Sequence, residues 1–522
     1  MSMWKRYIFG MLSGAGSVVI KTGLNIVVIP VLIAKLGLDA FGLYVLLVAI
    51  LEVSTLLDLG ATGALVTLLG GESASSQSRQ AYLKVGHAWF GILAVLFIAL
   101  GLLFLPGFCH QFHVTPALQP IAQSCFLLIL LESAVALYSC YARSILLAHC
   151  SHQWTNVADT LYYLISNLGA LLVLFSGHNL PAVLGIRLLG ALVRSGVMMV
   201  QTLRMEPHAL FPQGPFKPEI FKKVAGLSGH AMMINFSVII SHKIDDIVIA
   251  SFLPISAVGI YEIVFRFLGI TIQICMKLHE GIYPLFSRMA TANQTADARQ
   301  LFLRMSSFLN LTACMLLMLI VSYYRELFGM FSAGKIEVEQ TIPVLMAAVP
   351  CILSGALQMP ANAWLFTWGH QRYLTTSSLI AAFANLIFSL LLVNYLGILG
   401  VAVGTMIPQL VQHQGSLIFK TCQELRISFL QYMRAVHGAV LFPMLVAILW
   451  VQAWKPVLAL APFKLLPICL VSASAGLLGA GLWFGLTASP LESQIFRQII
   501  NQKLLQPIQL KLKRKATAAD TP

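Results

Sequence analysis

Apolar runs long enough to cross a bilayer as helices recur along the chain between short breaks of Gly, Pro and charged residues. They fall at residues 11–32, 41–60, 85–105, 121–142, 157–176 and 181–203. A basic, Pro-rich connector at 204–223 (containing FPQGPFKPEIFKK) is followed by six more, at 224–244, 255–276, 301–323, 341–368, 374–395 and 398–419. Two further runs, 435–453 and 463–487, precede a basic tail. The pattern predicts an all-α polytopic membrane protein of about 14 transmembrane helices. Lys5 and Arg6 precede the first run as in a signal peptide, but the run continues to Leu32 and further spans follow, so it reads as an uncleaved first helix.

Composition agrees. Fourteen helices of about 20 residues need roughly 280 apolar-rich positions, and 58% of 522 residues supplies about 303. Only 10% of residues are charged, and the mean hydropathy is +0.84. That excludes soluble enzymes and nucleic-acid binders, so no nucleic-acid partner is expected. The net charge of +14 points instead to basic loops and to anionic membrane lipids. With the N-terminus inside, about 23 of the 33 Lys and Arg fall on one side and about six on the other, which places both termini in the cytoplasm. The tail carries Leu491, Ile495, Ile499 and Leu504 at near-helical spacing before Lys511, Lys513, Arg514 and Lys515, and is expected to lie along the cytoplasmic leaflet. The nine cysteines lie singly, and Cys109, His110 and His113 lack further ligands, so neither metal nor cofactor is expected.

The two six-span halves share landmarks. MLSG from Met11 recurs as GLSG from Gly226, AFGLY from Ala40 as AVGIY from Ala257, Asn167-Leu168 as Asn385-Leu386, and LPAVLG from Leu180 as LGVAVG from Leu399, at offsets of 215, 217, 218 and 219. Four matches in order argue for a duplicated unit. An even number of spans per unit relates the copies by a pseudo-two-fold along the membrane normal, with a cavity between them. The expected organisation is an N-lobe at 1–205, a cytoplasmic connector at 206–223, a C-lobe at 224–425, two additional helices at 426–488, and a basic amphipathic tail at 489–522.

A charge at mid-membrane costs roughly 2.5 to 3.5 kcal/mol even on a lenient scale, so each buried one needs a partner, a wet cavity or a function. The spans contain Lys21, Glu52, Asp58, Glu132, Asp159, Arg187, Arg194, Glu262 and Arg266. Arg187 and Arg194, seven residues apart, form one basic stripe on the sixth span, suited to a phosphate along with Lys21 and Arg266. The plainer reading pairs them with carboxylates or lets them snorkel to the membrane edges. Glu262 and Arg266 form an i,i+4 pair that is either structural or a proton-carrying competitor for the phosphate site. Asp58 and Asp159 show no local partner and are candidate proton or cation sites; otherwise they cap helices or pair with bases. Gln358 and Asn362, beside Pro360 and Trp364, suit sugar hydroxyls, as do Gln409 and His413 after Pro408, although such amides also bond helix to helix.

The stretch ISHKIDDIVIASFLPISAVGIYEIVFRFLGI, from Ile240 to Ile270, resembles the seventh-to-eighth-span signature of the bacterial polysaccharide (O-antigen, Wzx-type) flippases, with Asp245, Gly259, Tyr261 and Arg266 in the matching places. FGLYVLLVAILEVSTLLDLGATGALV, from Phe41 to Val66, is similar to that family's second-span segment at Gly42, Tyr44, Asp58 and Gly60. The resemblance covers about the first 420 residues. It implies the fold of the multidrug/oligosaccharidyl-lipid/polysaccharide exporter superfamily, with two six-helix lobes and alternating access in the bacterial inner membrane. It implies a polyprenyl-pyrophosphate-linked oligosaccharide as substrate, flipped from the cytoplasmic to the periplasmic leaflet, and a cationic cavity with ion or proton coupling, for which Asp245 joins Asp58, Asp159 and Glu262. In this sequence five buried acids stand against four buried bases. Polysaccharide-assembly proteins are candidate partners.

Two other functions compete. A multidrug or metabolite cation antiporter of the same superfamily would want carboxylates and fewer bases in its cavity. A membrane-embedded glycan polymerase or ligase would need a larger outer loop than the 17 or so residues at 324–340, so a transporter is expected and not an enzyme.

Overall fold

The computed structural model describes residues 24, 27–56, 58, 60–70, 76–149, 151–213, 218–222, 224–226, 233, 237, 243–279, 282–291, 294–459 and 465–487. All regular structure among them is helical. The principal helices of the first half are α1 (Val27–Leu36), α2 (Leu38–Leu56), α3 (Ala61–Gly70), α4 (Ser76–Phe104), α5 (Gln119–Ala148), α6 (His152–Phe175) and α7 (Leu180–Met205). The second half has α8 (Ile244–Phe252), α9 (Ile255–His279), α10 (Ile282–Thr291), α11 (Thr295–Ser322), α12 (Tyr324–Phe331), α13 (Ile342–Leu357), α14 (Met359–Thr367), α15 (Gln371–Leu396) and α16 (Ile398–Leu410). The last two are α17 (Ala439–Ala459) and α18 (Leu465–Thr487).

Ten helices among the described residues are long and apolar enough to cross a membrane. The first and seventh of the fourteen expected spans fall largely outside these residues, as does the tail at 489–522. Val95, Leu103, Leu172, Leu391 and Leu477 point outward, the arrangement that a lipid solvent favours and water does not.

Local chemistry sets the breaks. The second expected span, 41–60, ends at Leu56, and a turn leads into α3. There the Asp58 carboxylate accepts from the backbone N–H groups of Gly60 (2.8 Å) and Thr62 (3.4 Å), and Gly60 has φ +77°, a conformation open to glycine. The long expected run at 341–368 divides into α13 and α14 at Gln358. Pro408 lies inside α16, and the helix continues through a π-helical segment, Val411–Ile418, to Phe419–Glu424. Proline removes an intrahelical hydrogen bond and crowds the preceding turn, which fits the widened winding that follows it.

The described chain divides into two compact units. The larger draws on residues up to Ser287 and on Tyr323–Thr421; the smaller combines Arg288–Ser322 with the chain from Cys422 onward. In the larger unit α6 packs on α7, and α15 and α16 form an antiparallel hairpin in which Gly404 lies against the backbone of Ser389. α2 of the first half crosses α9 of the second at two glycines. A Cβ on Gly42 would meet the Ile255 carbonyl oxygen, and one on Gly259 would meet the Leu38 and Phe41 side chains. Gly42 and Gly259 are 217 residues apart, as are Leu38 and Ile255, so the contact is reciprocal between repeat-equivalent positions. Small residues are what permit such close helix crossing in lipid.

The start of the connector is fastened to the first half. Tyr141 donates to the Ala209 carbonyl (2.8 Å), and Arg79 Nε donates to Glu206 (2.5 Å) while its Nη2 meets His149 (2.7 Å). In the smaller unit α11 packs with α17 and α18. Trp483 donates to Ser307 (2.9 Å), and Asn310 donates to the Val436 carbonyl (3.0 Å).

Candidate functional site

The polar interior of the larger unit begins at Glu132 on α5, only 1% exposed. Arg187 on α7 grips it with Nε (3.4 Å) and Nη2 (3.2 Å), gives a further bond to the Tyr44 hydroxyl on α2 (3.0 Å), and another to the Tyr162 hydroxyl on α6 (2.8 Å). Tyr162 in turn donates to Glu132 (2.6 Å). Most of the Arg187 donors are therefore engaged, and its charge is balanced inside the protein.

Arg194, two turns along α7, sits differently. Its guanidinium carbon lies 4.8 Å from the centre of the Tyr162 ring, its Nε is buried, and it makes no hydrogen bond to any described residue. The heptad spacing of the sequence does put both arginines against Tyr162, which separates them as a spacer. On α9, Arg266 bonds Glu262 through Nη2, and its own buried Nε has no partner among the described residues. Arg266 also interacts electrostatically with Tyr44 and Glu52 of α2.

Acids gather beside Arg266. Glu52 on α2 pairs with Lys243 at the start of α8 (2.6 Å). Asp246 is buried within the field of Glu262, Lys243, Asp245 and Glu52. Asp245, 3% exposed, accepts from Tyr261 (2.6 Å) and Thr405 (2.7 Å) at Oδ2 and has no partner at Oδ1 among the described residues. Thr405 also bonds Asn385 (3.1 Å), which accepts from Ser389 (3.0 Å). Three helices, α9, α15 and α16, thus place oxygen-bearing side chains around one buried carboxylate on α8.

The other residues singled out in the sequence lie elsewhere or have partners there. Asp58 caps α3, and both Asp159 oxygens accept from Arg143 (2.8 and 2.7 Å), which corrects the reading that neither has a partner. Asn362 donates to Gln358 (2.6 Å) at the junction of α13 and α14. Gln409 accepts from the Cys351 thiol (3.0 Å), and His413 bonds Ser354 (3.0 Å). Lys21 lies outside the described residues. Tyr162, Lys243, Asp246 and Thr405 carry no expectation from sequence, and Tyr44 and Asn385 stand out there only as motif and repeat landmarks. The doublet Asp245-Asp246 was the one local signal among them, since the others acquire their meaning from partners on distant helices.

Residues 10–290 match the family described as polysaccharide biosynthesis protein, and residues 231–391 match the MatE family. No curated protein matches the chain. Among solved structures it is similar to the lipid II flippase MurJ in an inward closed conformation, with a TM-score of 0.67 at 13% identity over 91% of this chain and 99% of that one. It is also similar to an inward-facing multidrug resistance MATE family transporter of the MOP superfamily, with a TM-score of 0.63 at 13% identity over 78% and 94%. A MOP superfamily transporter from Pyrococcus furiosus gives 0.52 at 13% identity over 82% and 96%. The chain is a multi-pass membrane protein with this transporter fold, and with residues 10–290 matched, more than half its length, it belongs to the polysaccharide biosynthesis protein family.

Proposed function

We propose that this protein flips a polyprenyl-pyrophosphate-linked oligosaccharide from the cytoplasmic to the periplasmic leaflet of a bacterial inner membrane, both termini being cytoplasmic, by alternating access. The observation that carries the reading is Arg194. A permanently charged guanidinium held against a tyrosine face, with a buried Nε–H and no acceptor among the described residues, is a docking point suited to an anionic oxygen. The unpartnered Nε of Arg266 supplies a second, Arg187 positions the first through Tyr162, and Lys21 is the fourth base of the proposed set. Gln358 and Asn362 are proposed for the sugar. The headgroup has to pass about 30 Å of hydrocarbon while its lipid tail stays in the bilayer, and bases that replace its hydration lower that barrier. No covalent chemistry is required.

Coupling is assigned to Asp245, whose buried, incompletely bonded carboxylate takes an exchangeable positive charge, a proton or a monovalent cation. Glu262, tied to Arg266, links that site to the headgroup. Asp58 and Asp159, engaged by a helix cap and by Arg143, are left as weaker coupling candidates.

Arg194→Ala is expected to cut surface polysaccharide at least tenfold with membrane protein level unchanged, and lipid-linked intermediates are expected to accumulate on the inner leaflet. Wild-type polysaccharide in that variant would remove Arg194 from the site. Asp245→Asn is expected to abolish any dependence of transport on the ion or pH gradient, measured in cells treated with an uncoupler or depleted of sodium; retained dependence would clear Asp245 of the role.

A second reading, a cation antiporter, is favoured by the acidic group Glu52, Asp245, Asp246 and Glu262 and by the MatE match over 231–391. It predicts resistance to cationic dyes on overexpression, which the flippase reading does not.

A further inference from the structure

The two lobes neutralise a buried acid in opposite ways. In the first, Glu132 is covered and is held by the guanidinium of Arg187, with Tyr162 completing its hydrogen bonds. In the second, Asp245 is equally covered, Tyr261 and Thr405 bond one oxygen, and the other has no partner among the described residues. No ion pair to Asp245 is formed by a described basic side chain; Asp246 and Cys351 are ionisable neighbours, and Lys243, two residues before it, pairs with Glu52.

The acids themselves, Glu132 on the fourth span and Asp245 on the seventh, are not repeat-equivalent; the groups that reach them are compared by position. Tyr44 and Tyr261 are 217 residues apart in the repeated motif, and each joins its lobe's polar centre through its hydroxyl. The helices that supply the next group, α7 and α16, close their respective halves. Arg187 and Thr405 lie 218 apart, one position from the offset of 219 that Leu180 and Leu399 give on these same helices. Where the first lobe has a guanidinium, the second has a hydroxyl beside a half-bonded carboxylate.

We infer that Arg187 is a tethered counter-cation standing in the first lobe where the second accepts an exchangeable one, so that coupling charge passes through a single lobe, and that removing this guanidinium turns Glu132 into a second exchangeable cation site. The inference builds on the assignment of Asp245 to coupling. A buried carboxylate without a fixed partner recruits a proton or a metal cation, because leaving it ionised and unpaired costs more than binding one.

The test is thermal unfolding of the full chain in nanodiscs, with sodium chloride titrated against choline chloride at fixed pH, and with pH varied in choline to separate the two cations. Wild type is expected to be stabilised by one of them, and D245N to lose that response. D245N/R187Q is expected to regain a saturable response, which E132Q/D245N/R187Q lacks. R187K, which keeps the tethered charge, is expected to gain none in the D245N background. A folded D245N/R187Q protein with no response to sodium or acid overturns the inference, as does one that no cation rescues while E132Q/R187Q folds. If D245N itself keeps the wild-type response, the Asp245 assignment falls, and Glu132 is then judged by comparing R187Q with E132Q/R187Q.

Discussion

Gly42→Leu is expected to force the starts of α2 and α9 apart and to disable transport while the protein still inserts. The Cβ alone would sit 2.1 Å from the Ile255 carbonyl oxygen and 2.8 Å from its carbon, and both are backbone atoms that no rotamer change can move aside. Overpacking of this kind costs about 1 to 3 kcal/mol. Charged to one conformation of an alternating-access cycle, it shifts the balance of states roughly tenfold to a hundredfold. Hydrogen exchange at residues 38–46 and 255–262 is expected to speed up by that factor. Gly259→Leu is expected to do less, because the atoms it meets first, Leu38 Cδ1 and Phe41 Cδ1 at 3.0 and 3.1 Å, belong to side chains that can yield. Unchanged exchange and full transport in Gly42→Leu would show that this crossing does not take part in the cycle.

The largest loss of stability is expected from Arg187→Ala. The guanidinium is 12% exposed and Glu132 almost wholly covered, so the substitution leaves an ionised carboxylate buried and removes the donors that the Tyr44 and Tyr162 hydroxyls accept from. Breaking such a pair on one side costs about 3 to 5 kcal/mol. Removing both charges in E132Q/R187M is expected to recover most of it, since the Coulombic gain of a buried pair roughly offsets its desolvation. Arg194→Ala loses a cation–π contact and is expected to cost about 1 kcal/mol or less. Unfolding midpoints in one detergent separate the three; equal losses in Arg187→Ala and Arg194→Ala would contradict the division of labour between them.

How much of this the sequence revealed depended on how far apart the partners lie. The Arg187–Arg194 stripe and the Glu262–Arg266 pair were visible because helical spacing alone aligns them. The reciprocal glycines were visible as halves of a repeated AFGLY and AVGIY motif, though nothing in either copy says that they touch. Asp159 looked solitary because Arg143, sixteen positions back, meets it only across the turn between α5 and α6. Asp58 looked solitary because its partners are backbone N–H groups, which have no signature in residue type. Glu132 and Arg187 are 55 positions apart, and Lys243 is a whole lobe away from Glu52, so only tertiary packing defines those pairs. Asp245 entered through its place in a family-like motif, while the ring of Tyr261, Thr405 and Asn385 around it comes from three helices that the fold alone brings together.

The most direct measurement reconstitutes the full chain in liposomes with a fluorescent polyprenyl-pyrophosphate oligosaccharide and follows quenching of the label by an impermeant reductant. Wild-type protein is expected to raise the quenched fraction from about half toward completeness within minutes, and Arg194→Ala to leave it at the protein-free level. Quenching that stays at half with folded wild-type protein, or that proceeds equally in both, would contradict an anionic lipid head carried on buried arginines.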